Sequence, residues 1–159
     1  MILKTKLWNR LSTLPSVQSY FYLLKDKNKT SQKCRTKLVG EAGERIAFNY
    51  LKKRGLKLVE ANWRCKKGEI DLIMTDKLEL VFVEVKTRAY GHNSKRAVFQ
   101  NITKRKIKKL SALSQIYLKY YYRNSKKPSH RIDVVGVVLD KDQSGAHDIT
   151  HYKGAITSE

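Results

Sequence analysis

Apolar and polar residues follow two different rhythms along this chain, and each rhythm predicts an element. Placed at about 100° per residue, the helical repeat, residues 41–54 gather Ala42, Gly43, Ile46, Ala47, Tyr50 and Leu51 on one arc, with Glu44 at its edge and Glu41 on the far side. That is the pattern of an amphipathic helix. Lys52, Lys53 and Arg54 suit the negative end of its dipole, and Gly55 supplies a stop. Leu56 to Trp63 predicts a strand, followed by a basic turn from Arg64 to Gly68. Glu69 to Thr75 and Leu78 to Thr87 then alternate with a period of two, and a turn at Asp76-Lys77 joins them as a hairpin. After a loop around Gly91 to Ser94, Thr103 to Arg123 predicts a long helix that buries Ile107, Leu110, Leu113, Tyr117 and Tyr121 and is broken by Lys126, Lys127 and Pro128. His130 to Leu139 predicts a strand, and Ile149 to Tyr152 a short last one. Helix, three strands, helix and one or two strands make a mixed α/β domain on a central sheet.

Acids stand in the middle of this apolar pattern. In Glu69-Ile70-Asp71-Leu72-Ile73-Met74 the two-residue period sends Ile70, Leu72 and Met74 to one face and Glu69 and Asp71 to the other. In Leu80 to Lys86 it sends Val81, Val83 and Val85 to one face, while Glu84 and Lys86 share the other with Phe82. A turn at Asp76-Lys77 sets Glu69 opposite Glu84 and puts Asp71 diagonal to Glu84, about 7–8 Å away at Cα. On a solvent-facing strand, Glu84 and Lys86 would be a surface ion pair contributing about 0–1 kcal/mol. Here Leu72-Ile73-Met74 and Val81-Phe82-Val83 are apolar on both faces, as in a covered strand, where unpaired charge costs several kcal/mol. Crowded carboxylates there call for a hard divalent cation such as Mg²⁺ or Mn²⁺.

Composition narrows the partners. The 159 residues carry 34 Lys+Arg against 14 Asp+Glu, a net charge of +20, so polyanions are the expected ligands, nucleic acid ahead of a membrane surface. No stretch reaches the roughly 18 apolar residues of a membrane span. Cys34 and Cys65 form neither a CxxC pair nor a disulfide framework, which points to a reducing, cytoplasmic setting. Residues 1–39 hold Asp26 as their single acid and predict a loosely ordered basic extension, with Leu7, Leu11 and Leu14 spaced for a short helix limited by Pro15. The same composition fits an organelle transit peptide. The α/β domain is expected over residues 40–153, with a short tail at 154–159. Lys104, Arg105, Lys106, Lys108 and Lys109 crowd a helix start, where the dipole prefers acids unless an anion binds. His92, His130, His147 and His151 are scattered and form no metal motif, and no Walker loop or GxGxxG announces a small-molecule cofactor.

Asp71 followed after thirteen residues by Glu84-Val85-Lys86, behind a helix carrying Glu44, resembles the PD-(D/E)XK nuclease core. Gly43-Glu44 with Ala47 and Tyr50-Leu51, Asn62-Trp63-Arg64-Cys65, Gly68-Glu69-Ile70-Asp71-Leu72-Ile73, Val81 through Arg88, Lys106, and Arg131-Ile132-Asp133-Val134-Val135 resemble the YraN-like family of small bacterial proteins. That family is in turn similar to archaeal Holliday-junction resolvases. The resemblance runs from about Gly40 to Leu139 and departs at Lys104, where the family usually has Pro, and at Ile132, where it usually has Phe.

The resemblance implies a restriction-endonuclease-like fold, a central mixed four-stranded sheet flanked by helices. It also implies hydrolysis of phosphodiester bonds in structured or branched DNA with Mg²⁺ or Mn²⁺. Asp71 and Glu84 would be metal ligands, Glu44 would reach the metal through a water, and Lys86 would position the attacking water. Glu69 is left to bind Arg64 or Arg88. Arg88 and the helix cations Lys104, Arg105, Lys106, Lys108 and Lys109 would contact nucleic acid, DNA ahead of RNA. Cutting a symmetric junction would require a homodimer. The rival readings are a nuclease-fold nucleic-acid-binding protein without turnover and a basic RNA- or ribosome-associated protein.

Overall fold

The computed structural model describes residues 31–90, 103–140 and 145–156, together with residues 16, 18, 19 and 22. The short helix expected at Leu7 to Leu14 and the loop expected at Gly91 to Ser94 lie outside them. Helix α1 spans Gln32–Lys53, and strands β1 (Lys57–Cys65), β2 (Gly68–Asp76) and β3 (Glu79–Arg88) follow. Helix α2 (Lys104–Tyr121) then leads to β4 (His130–Leu139) and β5 (Ala146–Ile156). The sheet has five strands in the order β1-β2-β3-β4-β5, not the four expected. The β3–β4 pair is parallel and the other neighbours are antiparallel. The extra strand is β5, which runs through Ile156 rather than stopping near Tyr152, because it pairs with β4 from Ile132↔Ile156 to Leu139↔Ala146. Half of the expected tail is therefore strand.

Helix α1 also begins earlier than its apolar arc indicated. The Ser31 hydroxyl accepts the Cys34 N–H, the bond that caps a helix, so Gln32 to Val39 are helical and continuous with the domain. These residues fall inside the stretch expected to be a loose extension. α1 covers one face of the sheet, with Ala42, Ile46, Ala47, Phe48 and Leu51 packed on Leu72, Met74, Val81, Val83, Val85, Val135 and Val137. α2 covers the other, where Leu110, Leu113, Tyr117 and Leu118 meet Trp63, Ile70, Ile73, Leu80, Phe82 and Ile132. Of the residues expected inside α2, Leu110, Leu113 and Tyr117 are buried, Ile107 is half-buried and Tyr121 is 38% exposed, while Leu118 is buried as well.

Two local irregularities shape the sheet where the acids lie. The β2–β3 ladder pairs Asp76 with Glu79 and Leu72 with Val83, so Lys77 and Leu78 form the turn, one residue later than expected. Lys77 takes a left-handed backbone (φ 55°) to make it. That register places Asp71, not Glu69, on the line of Glu84. The second irregularity is between β1 and β2. Trp63↔Ile70 lies in the core under α2, whereas Ala61↔Leu72, two residues away, lies in the core under α1. Ile70 is thus not on the face of Leu72 and Met74. A regular strand keeps residues i and i+2 on one face; this ladder passes over Asn62 and Asp71, and Asn62 has φ 54°. Asn tolerates that left-handed conformation better than most residues. The switch of faces frees the side chains of Asn62 and Asp71 from either core.

Candidate active site

Asp71 sits where β2 and β3 part. Beyond Leu72↔Val83 the ladder stops, and the Val85 N–H is taken by Asp71 Oδ2 at 2.7 Å. The carboxylate thereby satisfies a backbone donor that would otherwise stay open where the pairing ends. Glu84 and Lys86 project from β3 on one side of Val85. Lys86 Nζ donates to Glu84 Oε1, and both side chains are about four-fifths buried. Lys106, on the first turn of α2, reaches the same Oε1 at 3.4 Å. From α1, Glu44 Oε2 accepts the Asn62 amide at 3.2 Å.

The helix that brings Glu44 there depends on a close approach. A Cβ on Gly43 would come within 1.7 Å of Thr87 Oγ1. Only glycine lets the α1 backbone rest on β3 at this point, one residue before the acid.

These pieces surround a cavity of about 440 Å³, lined by Glu44, Glu69, Asp71, Glu84, Lys86 and Lys106, and walled by Thr36 and Gly40 of α1 and Lys109 of α2. The four residues expected to be catalytic, Glu44, Asp71, Glu84 and Lys86, are all brought to it. Glu69 points its carboxylate to Arg64 Nε at 2.9 Å. Of the cations expected to bind nucleic acid, Lys106 and Lys109 line the cavity, while Arg88, Arg105 and Lys108 are exposed and do not line it. The side chain of Lys104 lies outside the described residues.

The electrostatics show the strain of placing acids together. Burial, then the charge of Glu84 and that of Glu44, push the Asp71 carboxyl up to about 7, against the Val85 N–H and Lys86, which pull it down. Burial likewise raises Glu44, with Asn62 opposing. Burial pulls Lys86 down, but its hydrogen bond to Glu84 and the neighbouring carboxylates outweigh that and hold the ammonium above its ordinary value. Lys106 is lowered by burial and by the charge of Lys86.

The donor set suits a hard cation. Asp71 keeps Oδ1 and Glu84 keeps Oε2 clear of the contacts described above, and their mutual repulsion is what a cation would relieve. Among the described residues no three His, Cys, Asp or Glu side chains are already gathered as a ligand set. Mg²⁺ needs no such set, because it is held by one or two carboxylates and keeps waters or phosphate oxygens for the rest.

Sequence reasoning gave Asn62 no role in the site, although it opens the Asn62-Trp63-Arg64-Cys65 string of the family resemblance, and it missed the link from Lys106 to Glu84. It also missed a second buried network. Asp133, wholly buried, accepts from Arg131 Nε at 3.0 Å, the Gly154 N–H at 2.9 Å and His151 Nε2 at 2.9 Å, while Arg131 also binds Asp76 and Glu79 at the hairpin turn. This network ties β5 and the hairpin to β4, away from the cavity. Cys34 and Cys65 are free, and among the described residues no helix is long and apolar enough to cross a membrane.

Residues 43–137 match the model of the uncharacterised protein family UPF0102. A UPF0102 protein of Caldanaerobacter subterraneus is 37% identical over 128 residues, covering 79% of this chain and 99% of that protein. One from Nitrosococcus oceani is 40% identical over 120 residues, covering 76% and 92% respectively. Among solved structures, Pyrococcus furiosus SfsA in complex with Ca²⁺ aligns with a TM-score of 0.30 and 16% identity over 76% of this chain and 64% of that one. The matched stretch contains the acids, Asn62 and Lys106, and the chain belongs to the UPF0102 family, the YraN-like proteins.

Proposed function

We propose that this protein is a divalent-metal-dependent endonuclease-like enzyme that hydrolyses phosphodiester bonds in structured or branched DNA. The observation that carries the reading is the meeting of Asp71 and Glu84 in one cavity at the parting of β2 and β3, with Lys86 beside them. Asp71 and Glu84 would hold Mg²⁺ or Mn²⁺, with Glu44 reaching it through water. When bound, such a cation supplies Lewis acidity toward the phosphate and the attacking water. With no metal bound, its hydrogen bond to Glu84 holds Lys86 as an ammonium, and in that form it would orient water and offset charge gathering on the phosphate. Asn62 holds Glu44 against the β1–β2 irregularity. Lys109, with Arg88, Arg105 and Lys108 farther out, supplies phosphate contacts at and around the mouth, and a homodimer would place two such sites on a symmetric junction.

A second reading, a nuclease-fold protein that binds nucleic acid without turnover, draws support from the ion pairs by which Lys86 and Lys106 already satisfy Glu84. The test is a cleavage panel of linear, flapped and four-way DNA with Mg²⁺ or Mn²⁺, wild type beside Glu84→Ala. Cutting by wild type alone supports the enzyme. Binding without cutting supports the second reading, and failure to bind any divalent cation removes the first.

A further inference from the structure

Resting on that reading, we infer that Lys106 is an exchangeable counter-ion, tied to Glu84 while the site holds no metal and released to a DNA phosphate when a divalent cation takes its place. Glu84 Oε1 carries two ammonium groups at once, from Lys86 and from Lys106. Around them Glu44, Asp71 and Glu84 supply the negative charge that Lys86 and Lys106 largely offset while no metal is bound. A divalent cation drawn to Glu84 and Asp71 tips that balance to an excess of positive charge in a partly desolvated place, and one lysine has to yield.

The two are not equal candidates. Lys86 is 22% exposed and sits two residues from Glu84 on the same strand, with Asp71 also nearby. Lys106 is 48% exposed, comes from the first turn of a different element, and is held at a longer 3.4 Å. Lys106 is the one that leaves. Its stem lines the cavity wall beside Lys109, so a freed ammonium stays at the place where a substrate phosphate would lie. Metal and DNA binding are then linked through one side chain: the metal pushes off the lysine that the phosphate takes up. Linkage of this kind is reciprocal, so DNA should also favour metal binding.

The test uses the full chain and compares wild type, Lys106→Met, Lys106→Arg and, as a charge control at the far end of the same helix, Lys119→Met. Mn²⁺ affinity is measured by calorimetry without DNA. Affinity for a duplex DNA is then measured against salt, once with EDTA and once with Ca²⁺ to limit turnover. Lys106→Met should bind Mn²⁺ roughly two- to fivefold more tightly, the equilibrium equivalent of removing a competing half-exposed ion pair. Its log K against log salt slope should match wild type in EDTA and be smaller by about one in Ca²⁺, as expected when one phosphate is no longer neutralised. Lys106→Arg should restore the slope in Ca²⁺, and Lys119→Met should leave Mn²⁺ affinity unchanged. A lysine that merely braces α2 would not make the slope depend on the cation. If Lys106→Met lowers DNA affinity equally in EDTA and Ca²⁺, or leaves Mn²⁺ affinity unchanged, the exchange is wrong while the metal site stands. If wild type binds no Mn²⁺, the metal-dependent reading falls, and the exchange with it.

Discussion

Asp71 Oδ2 accepts the Val85 N–H at 2.7 Å, a side chain standing in for a strand carbonyl at the point where β2 and β3 separate. One oxygen of the acid is therefore structural, and the other is left for the cavity. This division sets the choice of substitution, because an amide retains an oxygen that can accept the same N–H whereas alanine opens a buried donor.

Asp71→Asn should therefore fold as well as wild type, and in EDTA it should unfold at the same temperature or higher, since repulsion from Glu84 and Glu44 is relieved. Mn²⁺ should raise the unfolding temperature of wild type but not of Asp71→Asn or Glu84→Gln, each of which lacks one charged ligand. Both variants should lose cleavage while keeping most of their DNA affinity. Thermal scans with and without Mn²⁺ check the first part. Cleavage that persists in both variants would move the chemistry elsewhere.

Gly43→Ala should destabilise the fold by about 1–3 kcal/mol, the usual cost of overpacking, because the new methyl meets Thr87 Oγ1 and Cγ2. Thr87→Ala removes both of those atoms but keeps Cβ, which lies 2.6 Å from the new methyl, so the double variant should recover part and not all of the stability. Urea unfolding of the four members of the cycle measures the coupling. Simple additivity would mean that α1 does not rest on Thr87.

The strands and the acids could be read from the sequence because alternation with charge in apolar strands is a local signal. Val81 to Lys86 follows its expected faces, and Glu44, Asp71, Glu84 and Lys86 line one cavity, although α1, which carries Glu44, packs on the face of Val81, Val83 and Val85 rather than over Glu84 and Lys86. The turn falls one residue later than the pattern suggests because Leu78, 92% exposed, looks like strand rather than turn. The switch of faces around Asn62 is hidden, since a left-handed Asn leaves no mark in the hydrophobic pattern. The early start of α1 has a weak mark in Ser31, an N-cap residue with no acid in the turn after it. The family resemblance singles out Lys106 among the helix lysines, but only the packing of α2 shows that it faces Glu84.

Stability should fall at acid pH because of Asp133. Burial alone would raise its pKa, but His151, the Gly154 N–H and Arg131 overcome that and hold it below the ordinary aspartate value of 3.8. A carboxyl whose folded pKa lies below its unfolded one stabilises fully above the unfolded value, and that contribution is lost as pH drops toward the folded one. Asp133→Asn should cost about 3 kcal/mol or more at neutral pH, as breaking a buried pair does. It should also flatten the decline below pH about 4, where the carboxyl would otherwise take up its proton. Chemical denaturation from acid to neutral pH measures both effects, and an unchanged acid limb would assign it to other carboxylates.

DNA binding should be mostly electrostatic and weakly selective for sequence. With a net charge of +20, cations far outnumber side chains placed for bidentate base readout, and their phosphate contacts release counterions. Residues 1–30 bring Lys4, Lys6, Arg10, Lys25, Lys27 and Lys29 against Asp26, all before the Ser31 cap, so their removal leaves α1 whole. Truncation to begin at Ser31 should lower the slope of log K against log salt by up to about five, at roughly 0.9 for each phosphate that is no longer neutralised. It should leave the Mn²⁺-dependent rise in unfolding temperature intact, since among the described residues every one that lines the cavity follows Gln32. The measurement is a salt titration of duplex affinity for both forms of the chain. A slope near zero in the intact protein would reject phosphate contacts as the source of affinity, and a truncation that abolished the Mn²⁺ effect would mean that the residues before Ser31 help to build the site.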